Sequence, residues 1–127
     1  MKYCYSSLLI LNEDDIANIH PSDRELVSKQ YTSGWQRCCF EYLGESEGYK
    51  ILKDGENILR VKEAYIEEVP APGFKVGEVV FLPRKKVNGV IKKIHWHIKK
   101  CMPIYTIVVN GKVSGYQYFD TDIEAIV

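Results

Sequence analysis

The sequence predicts a mainly β protein built of two small barrels in tandem, with one short helix near residues 22–30. Three observations predict this. Period-2 alternation of apolar and polar residues runs through most of the chain, turn-forming dipeptides punctuate it, and a hairpin pattern in the first half recurs in the second. The length of 127 residues suits one ordinary domain or two very small ones and leaves no room for a nucleotide-binding α/β fold with a substrate domain.

Tyr3 to Leu11 reads as the first strand. Only Leu8 to Leu11 is strictly apolar, no small-x-small site follows, and Asn12-Glu13-Asp14-Asp15 begins at once, so the segment is read as a strand and not as a secretion signal. The helix runs from Ser22 to about Gln30. Ser22-Asp23-Arg24-Glu25 fits a capping box, in which the serine oxygen accepts from the N–H of residue 25. Its apolar side, Leu26 and Val27, is thin and predicts a surface helix, with His20 ahead of Pro21 helping to start it. Trp35 to Leu43 reads as the second strand and Gly44 to Gly48 as a turn. Tyr49 to Lys53 and Asn57 to Lys62 are strands joined by the hairpin dipeptide Asp54-Gly55, and Tyr65 to Val69 completes the first half.

Pro70-Ala71-Pro72-Gly73 cannot continue a ladder, since proline has no N–H to donate. It marks a linker, with a first barrel at residues 1–69 and a second at 74–127. The second half repeats the plan with strands at Gly77 to Leu82, Gly89 to Lys99, Ile104 to Val109, Lys112 to Tyr118 and Ile123 to Val127, and Asn110-Gly111 as the hairpin turn. At an offset of 56, Tyr49, Ile51 and Asp54-Gly55 fall on Tyr105, Ile107 and Asn110-Gly111. After a one-residue slip, Ile66-Glu67 and Val69 fall on Ile123-Glu124 and Ile126. A copy of about 60 residues buries only ~60% of its unfolded surface, so the two lobes are expected to pack together.

Phe74-Lys75-Val76-Gly77-Glu78-Val79-Val80, Asn88-Gly89-Val90-Ile91, Ile94-His95-Trp96-His97, Tyr105, Asn110-Gly111-Lys112 and Asp122-Ile123-Glu124 resemble the second barrel of uncharacterised bacterial proteins made of tandem SH3-like barrels. Ile19-His20-Pro21-Ser22-Asp23 and Phe40 to Gly44 extend the resemblance to residues 19–127, while the first strand departs from the aromatic-rich start of that group. The resemblance implies two SH3-like barrels. It also implies kinship with proteins thought to include toxin-immunity proteins, although the shared motifs are structural.

Apolar residues make up 46% of the chain and charged ones 27%, and no stretch approaches the ~20 apolar residues of a membrane-spanning helix. Lysine plus arginine (17) equals aspartate plus glutamate (17), which excludes a generally basic nucleic-acid binder. Residues 1–69 nevertheless carry 13 acidic and 8 basic side chains, and residues 70–127 carry 4 and 9. The halves therefore have net charges of −5 and +5. Cys4, Cys38, Cys39 and Cys101 show no disulfide spacing, so reduced thiols and a cytoplasmic location are expected.

The best candidate surface lies at residues 84–100, which contain no acidic side chain. Alternation places Val90, Ile94, Trp96 and Ile98 on one face of a strand, with Lys92 as the exception. It sends Ile91, Lys93, His95, His97 and Lys99 outward, after a loop bearing Arg84, Lys85 and Lys86. Such a basic row suits phosphates if exposed aromatic residues join it, and Trp35, Tyr116 and Tyr118 are the candidates. It equally suits an acidic protein, or a solvated edge that discourages strand-to-strand aggregation. His95, His97 and Cys101 are a conceivable metal set that the neighbouring lysines oppose, and no metal or other cofactor is expected. Cys38 and Cys39 lack a local base; Cys38 shares a strand face with Phe40 and Tyr42 and reads as core, Cys39 shares the other with Trp35, Arg37 and Glu41, and no glycine-rich phosphate loop is present.

The acidic clusters Glu13-Asp14-Asp15, Glu45 with Glu47, and Glu67-Glu68 would imitate a phosphate backbone if they converged. The resulting reading is a non-enzymatic protein-binding module, an immunity protein that occludes a cognate toxin or effector through Arg84, Lys85, Lys86, Lys93, His95, His97, Lys99, Glu45, Glu47 and Trp35. Nucleic-acid binding by a KOW- or Tudor-like second barrel is the alternative. The sequence leaves the oligomeric state open.

Overall fold

In a computed structural model the described residues are 2–6, 17–30, 38–62 and 66–126. They form ten strands: β1 (Tyr3–Ser6), β2 (Cys39–Ser46), β3 (Tyr49–Asp54), β4 (Asn57–Val61), β5 (Ile66–Val69), β6 (Val79–Leu82), β7 (Val87–His97), β8 (Met102–Val109), β9 (Lys112–Val113) and β10 (Glu124–Ala125). One α-helix, α1 (Arg24–Gln30), lies between β1 and β2. The chain divides into two compact units, Met1–Ala71 and Pro72–Val127. Each contains one five-stranded antiparallel sheet, in the orders β4-β3-β2-β1-β5 and β10-β6-β7-β8-β9.

Both orders follow one rule: four strands in sequence, then a fifth that returns beside the first. The registers agree in more detail. In the first sheet Glu41 and Tyr42 oppose Lys53 and Leu52, the ladder slips at Leu43, and Gly44 opposes Ile51. In the second, Val90 and Ile91 oppose Val108 and Ile107, the ladder slips at Lys92, and Lys93 opposes Thr106. A register shift of the β-bulge kind thus falls in the second strand of each sheet.

These registers correct the offset of 56. The turn between β3 and β4 is Gly55-Glu56, since Asp54 pairs with Asn57, whereas Asn110-Gly111 is the turn between Val109 and Lys112. The β3 and β8 hairpins therefore match at an offset of 55, with buried Leu52 on buried Ile107. Aligning the two turn dipeptides letter by letter would put every side chain on the opposite face. The slip to 57 at the last strands agrees with the ladders, where Glu67 opposes Tyr5 and Glu124 opposes Phe81.

In the first unit Cys4, Ile19, Val27, Cys38, Phe40, Leu52, Leu59 and Val61 form one buried cluster. Val27 is 1% exposed, so the helix contributes to the core and is more than a surface element. Its start also differs from the capping box. Pro21–Asp23 form a 3-10 turn in which the His20 ring Nδ1 accepts the N–H of Ser22 at 3.1 Å. Asp23 turns inward instead and accepts from the Arg60 backbone N–H (3.0 Å), Nε (2.9 Å) and Nη2 (3.2 Å). This paired fork fastens the helix start to β4, where Ile19 also bridges Val61.

In the second unit Val80, Leu82, Ile91, Ile94, Trp96, Tyr105, Ile107, Tyr118 and Ile123 are buried. Tyr105 donates to Asp120 Oδ1 at 2.6 Å and meets Phe74 edge-on at 5.6 Å. Burial, then that partner, pushes its phenol upward. The strand expected at Lys112 to Tyr118 is broken. β9 ends at Val113, Ser114–Gln117 loop out, and Tyr118 rejoins the sheet by a bridge to Tyr105.

Candidate functional site

The bulge at Lys92 decides what β7 shows to each side. Before it Gly89 and Ile91 are buried, and after it Ile94 and Trp96 are. Val90 is consequently 40% exposed and Ile91 1%, the reverse of their expected places. Lys93, His95 and His97 do share the outer face, because the extra residue restores their phase, and they are half-buried. Ile98 and Lys99 belong to the turn after β7. His97 is committed locally, since its Nδ1 accepts the Lys100 N–H at 3.1 Å while Lys100 Nζ lies 4.7 Å from the Phe119 ring centre.

Directly opposed residues of an antiparallel sheet share a face. Val79 opposes Val90, Val90 opposes Val108, and Val108 opposes Val113. One row of valines therefore crosses β6, β7, β8 and β9 on the outer face, with Val79 49% and Val113 53% exposed. In the first sheet the same register positions hold Tyr3, Glu41, Lys53 and Ile58, and an opposed carboxylate–ammonium pair occupies the two central places.

Arg84, Lys85 and Lys86 form the exposed turn between β6 and β7, closed by N–H bonds of Lys85 and Lys86 to the Leu82 carbonyl. Beside this turn is a groove of about 400 Å³ lined by Arg84, Lys85, Tyr116, Gln117, Tyr118 and Asp122. Lys85 Nζ stands 4.6 Å from the Tyr116 ring centre and donates to Ser114 Oγ at 3.3 Å. Ser114 Oγ in turn shares a 2.8 Å hydrogen bond with the Tyr118 hydroxyl. The Tyr116 ring, 65% exposed, meets Tyr118 edge-on.

A family model described as a family of unknown function (DUF6960) matches residues 2–124. The chain belongs to the DUF6960 family. Comparison with curated proteins and with solved structures gives no match.

Other expected site residues of this DUF6960 chain belong to the first unit. Glu45 pairs with Lys50 at 2.8 Å, and Glu47 occupies the β2–β3 turn with φ 54°. Glu67, which accepts from the Tyr5 hydroxyl at 2.8 Å, is level with Cys39 through Tyr5. Glu45 lies six residues farther along β2, ~20 Å away at strand rise, so these two acidic clusters do not converge. Trp35 and Glu13-Asp14-Asp15 lie outside the described residues. Among the described residues no three His, Cys, Asp or Glu side chains gather as a metal site, and no helix is long and apolar enough to cross a membrane.

All four cysteines, each among the described residues, are thiols outside any disulfide. Cys4 and Cys39 are buried on opposite faces of the sheet, and burial pushes both thiols up to about 12, a poor state for a nucleophile. Cys101 is exposed, its Sγ directed at the Ile98 carbonyl. The aromatic candidates Tyr116 and Tyr118 were legible as residues. Their meeting with Lys85, some thirty positions away, follows from Tyr118 bridging β8 and carries no local signal.

Proposed function

We propose that this chain is a non-enzymatic protein-binding module whose second unit uses the outer face of its sheet to receive an acidic protein. The observation that carries the reading is the exposed valine row. At matching positions the first sheet carries a Glu41–Lys53 pair, which keeps a sheet face solvated, whereas the second carries Val90 and Val108. Lys92 and Lys93 border that row, and residues 84–100 contain no acidic side chain. An apolar centre with a cationic rim supplies burial and steering together.

The strand order shared by both sheets supports reading each unit as an SH3-like barrel, and in the second unit the 3-10 turn Asp120–Asp122 before β10 adds to it. The resemblance to tandem-barrel proteins makes occlusion of a cognate bacterial toxin, without chemistry, the specific form of the proposal. Affinity capture from the native host with the intact protein, followed by crosslinking, tests it. One stoichiometric protein partner, lost with Val90→Glu while the fold persists, supports the reading. No partner, or one indifferent to Val90→Glu, overturns it.

A second reading is favoured by Tyr116 beside Arg84 and Lys85: stacking of a nucleic-acid base with phosphate on the cations. Salt-sensitive binding of random single-stranded DNA or RNA that Arg84→Glu with Lys85→Glu abolishes would select it.

A further inference from the structure

We infer that the groove beside Tyr116 seats an acidic, extended peptide segment of the protein partner, an inference that rests on the protein-binding reading and names the partner's chemistry. Lys85 is already held where a carboxylate would arrive. Its ammonium spends one donor on Ser114 Oγ and rests against the Tyr116 ring, leaving donors for the groove. A cation fixed in advance has less rotamer freedom to lose on binding than a free lysine. Arg84 adds a second, exposed cation one residue away, with a fork that accepts a carboxylate through two parallel bonds.

Two further lining residues favour a peptide over a phosphate chain, whereas Asp122, whose Oδ2 accepts the Phe119 N–H at 2.9 Å, repels phosphate and carboxylate alike. Gln117 offers both a donor and an acceptor, which matches the alternating N–H and C=O groups of a main chain. The open face of Tyr116 supplies an apolar seat for one side chain between the acidic ones. An extended segment suits the place, because β9 is the outermost strand of its sheet and its ladder stops at Val113, next to Ser114.

The test uses the full chain and three fluorescent probes: a nonapeptide of aspartates and glutamates around a central leucine, the same peptide with lysines for the acids, and an oligothymidylate. The acidic peptide is expected to saturate, with Arg84→Glu and Tyr116→Ala each weakening it at least tenfold and the lysine peptide not binding. Both residues are exposed, and circular dichroism checks that the variants fold. Absence of acidic-peptide binding, or binding that both variants leave unchanged, overturns the inference. Tighter binding of oligothymidylate with the same sensitivity to the variants also overturns it. Capture of the partner is followed in parallel. A partner kept by a variant combining Arg84→Glu and Tyr116→Ala but lost with Val90→Glu removes the groove and leaves the protein-binding reading standing, whereas no partner with any form removes both.

Discussion

Cys4 and Cys39 illustrate what a single side chain contributes and where the sequence stops speaking. Their lack of disulfide spacing is legible in the sequence, but their depth is not. Cys4 is completely buried and Cys39 nearly so, on opposite faces of the same pair of strands. Burial raises each thiol from an ordinary 9.0 to about 12, so the folded chain keeps protons that the unfolded chain releases above pH 9. Their contribution to stability is whole below about pH 9 and declines as pH rises toward 12, by ~1.4 kcal/mol per pH unit for each thiol. Tyr105, also raised by burial, acts in the same direction. Urea midpoints measured at pH 7.5, 9 and 10.5 are expected to be level over the first interval and to drop over the second. A flat profile throughout would contradict the burial of these groups. Gly89 is a second residue-scale constraint: a Cβ there would meet Ile107 Cγ2 and lie 3.2 Å from the Val108 carbonyl oxygen. Gly89→Ala is expected to cost ~1–3 kcal/mol by overpacking, read from chemical denaturation.

Among the elements, β7 holds the clearest lesson. Lys92 broke the alternation in the sequence, and the bulge is the physical reason: an extra residue leaves the ladder, and the inside–outside phase changes there. Deleting Lys92 keeps Ile91 inside, Lys93 outside and Ile94 inside, so the variant is expected to unfold cooperatively with only a modest fall in melting temperature. Deleting His95 removes a residue from the regular ladder and drives Trp96 from the core, so that variant is expected to lose its cooperative transition. Equal behaviour of the two deletions in calorimetry would refute the assigned phase. The turns were legible because glycine and asparagine favour φ > 0, as Asn110 (51°) and Gly111 (78°) show. Which residues fill a turn was less legible. Gly55-Glu56 replaces the Asp54-Gly55 pair, since cross-strand pairing, not the dipeptide, fixes the register.

Across the whole chain, charge is the feature most visible in the sequence. Residues 1–69 and 70–127 differ by ten formal charges, from −5 to +5, within a protein of net charge zero. If the second unit meets an acidic partner, raising salt from 50 to 500 mM is expected to weaken binding roughly tenfold, mainly through slower association, as titration and stopped-flow mixing would show. Affinity independent of salt would favour the valine row acting alone. Sequence alone made the β character, the short helix and most turns legible, because each of these depends on neighbouring residues: alternation for the strands, the residues after Pro21 for the helix, glycine at positive φ for the turns. Tertiary structure alone decided the phase of β7, the offset of 55 between the hairpins, the burial of Asp23 against Arg60 and the meeting of Lys85 with Tyr116. Apart from the hairpin offset, those features join residues about 13 to 37 positions apart, and pairing across a sheet is fixed by which faces can be buried together, a condition that only the folded chain satisfies.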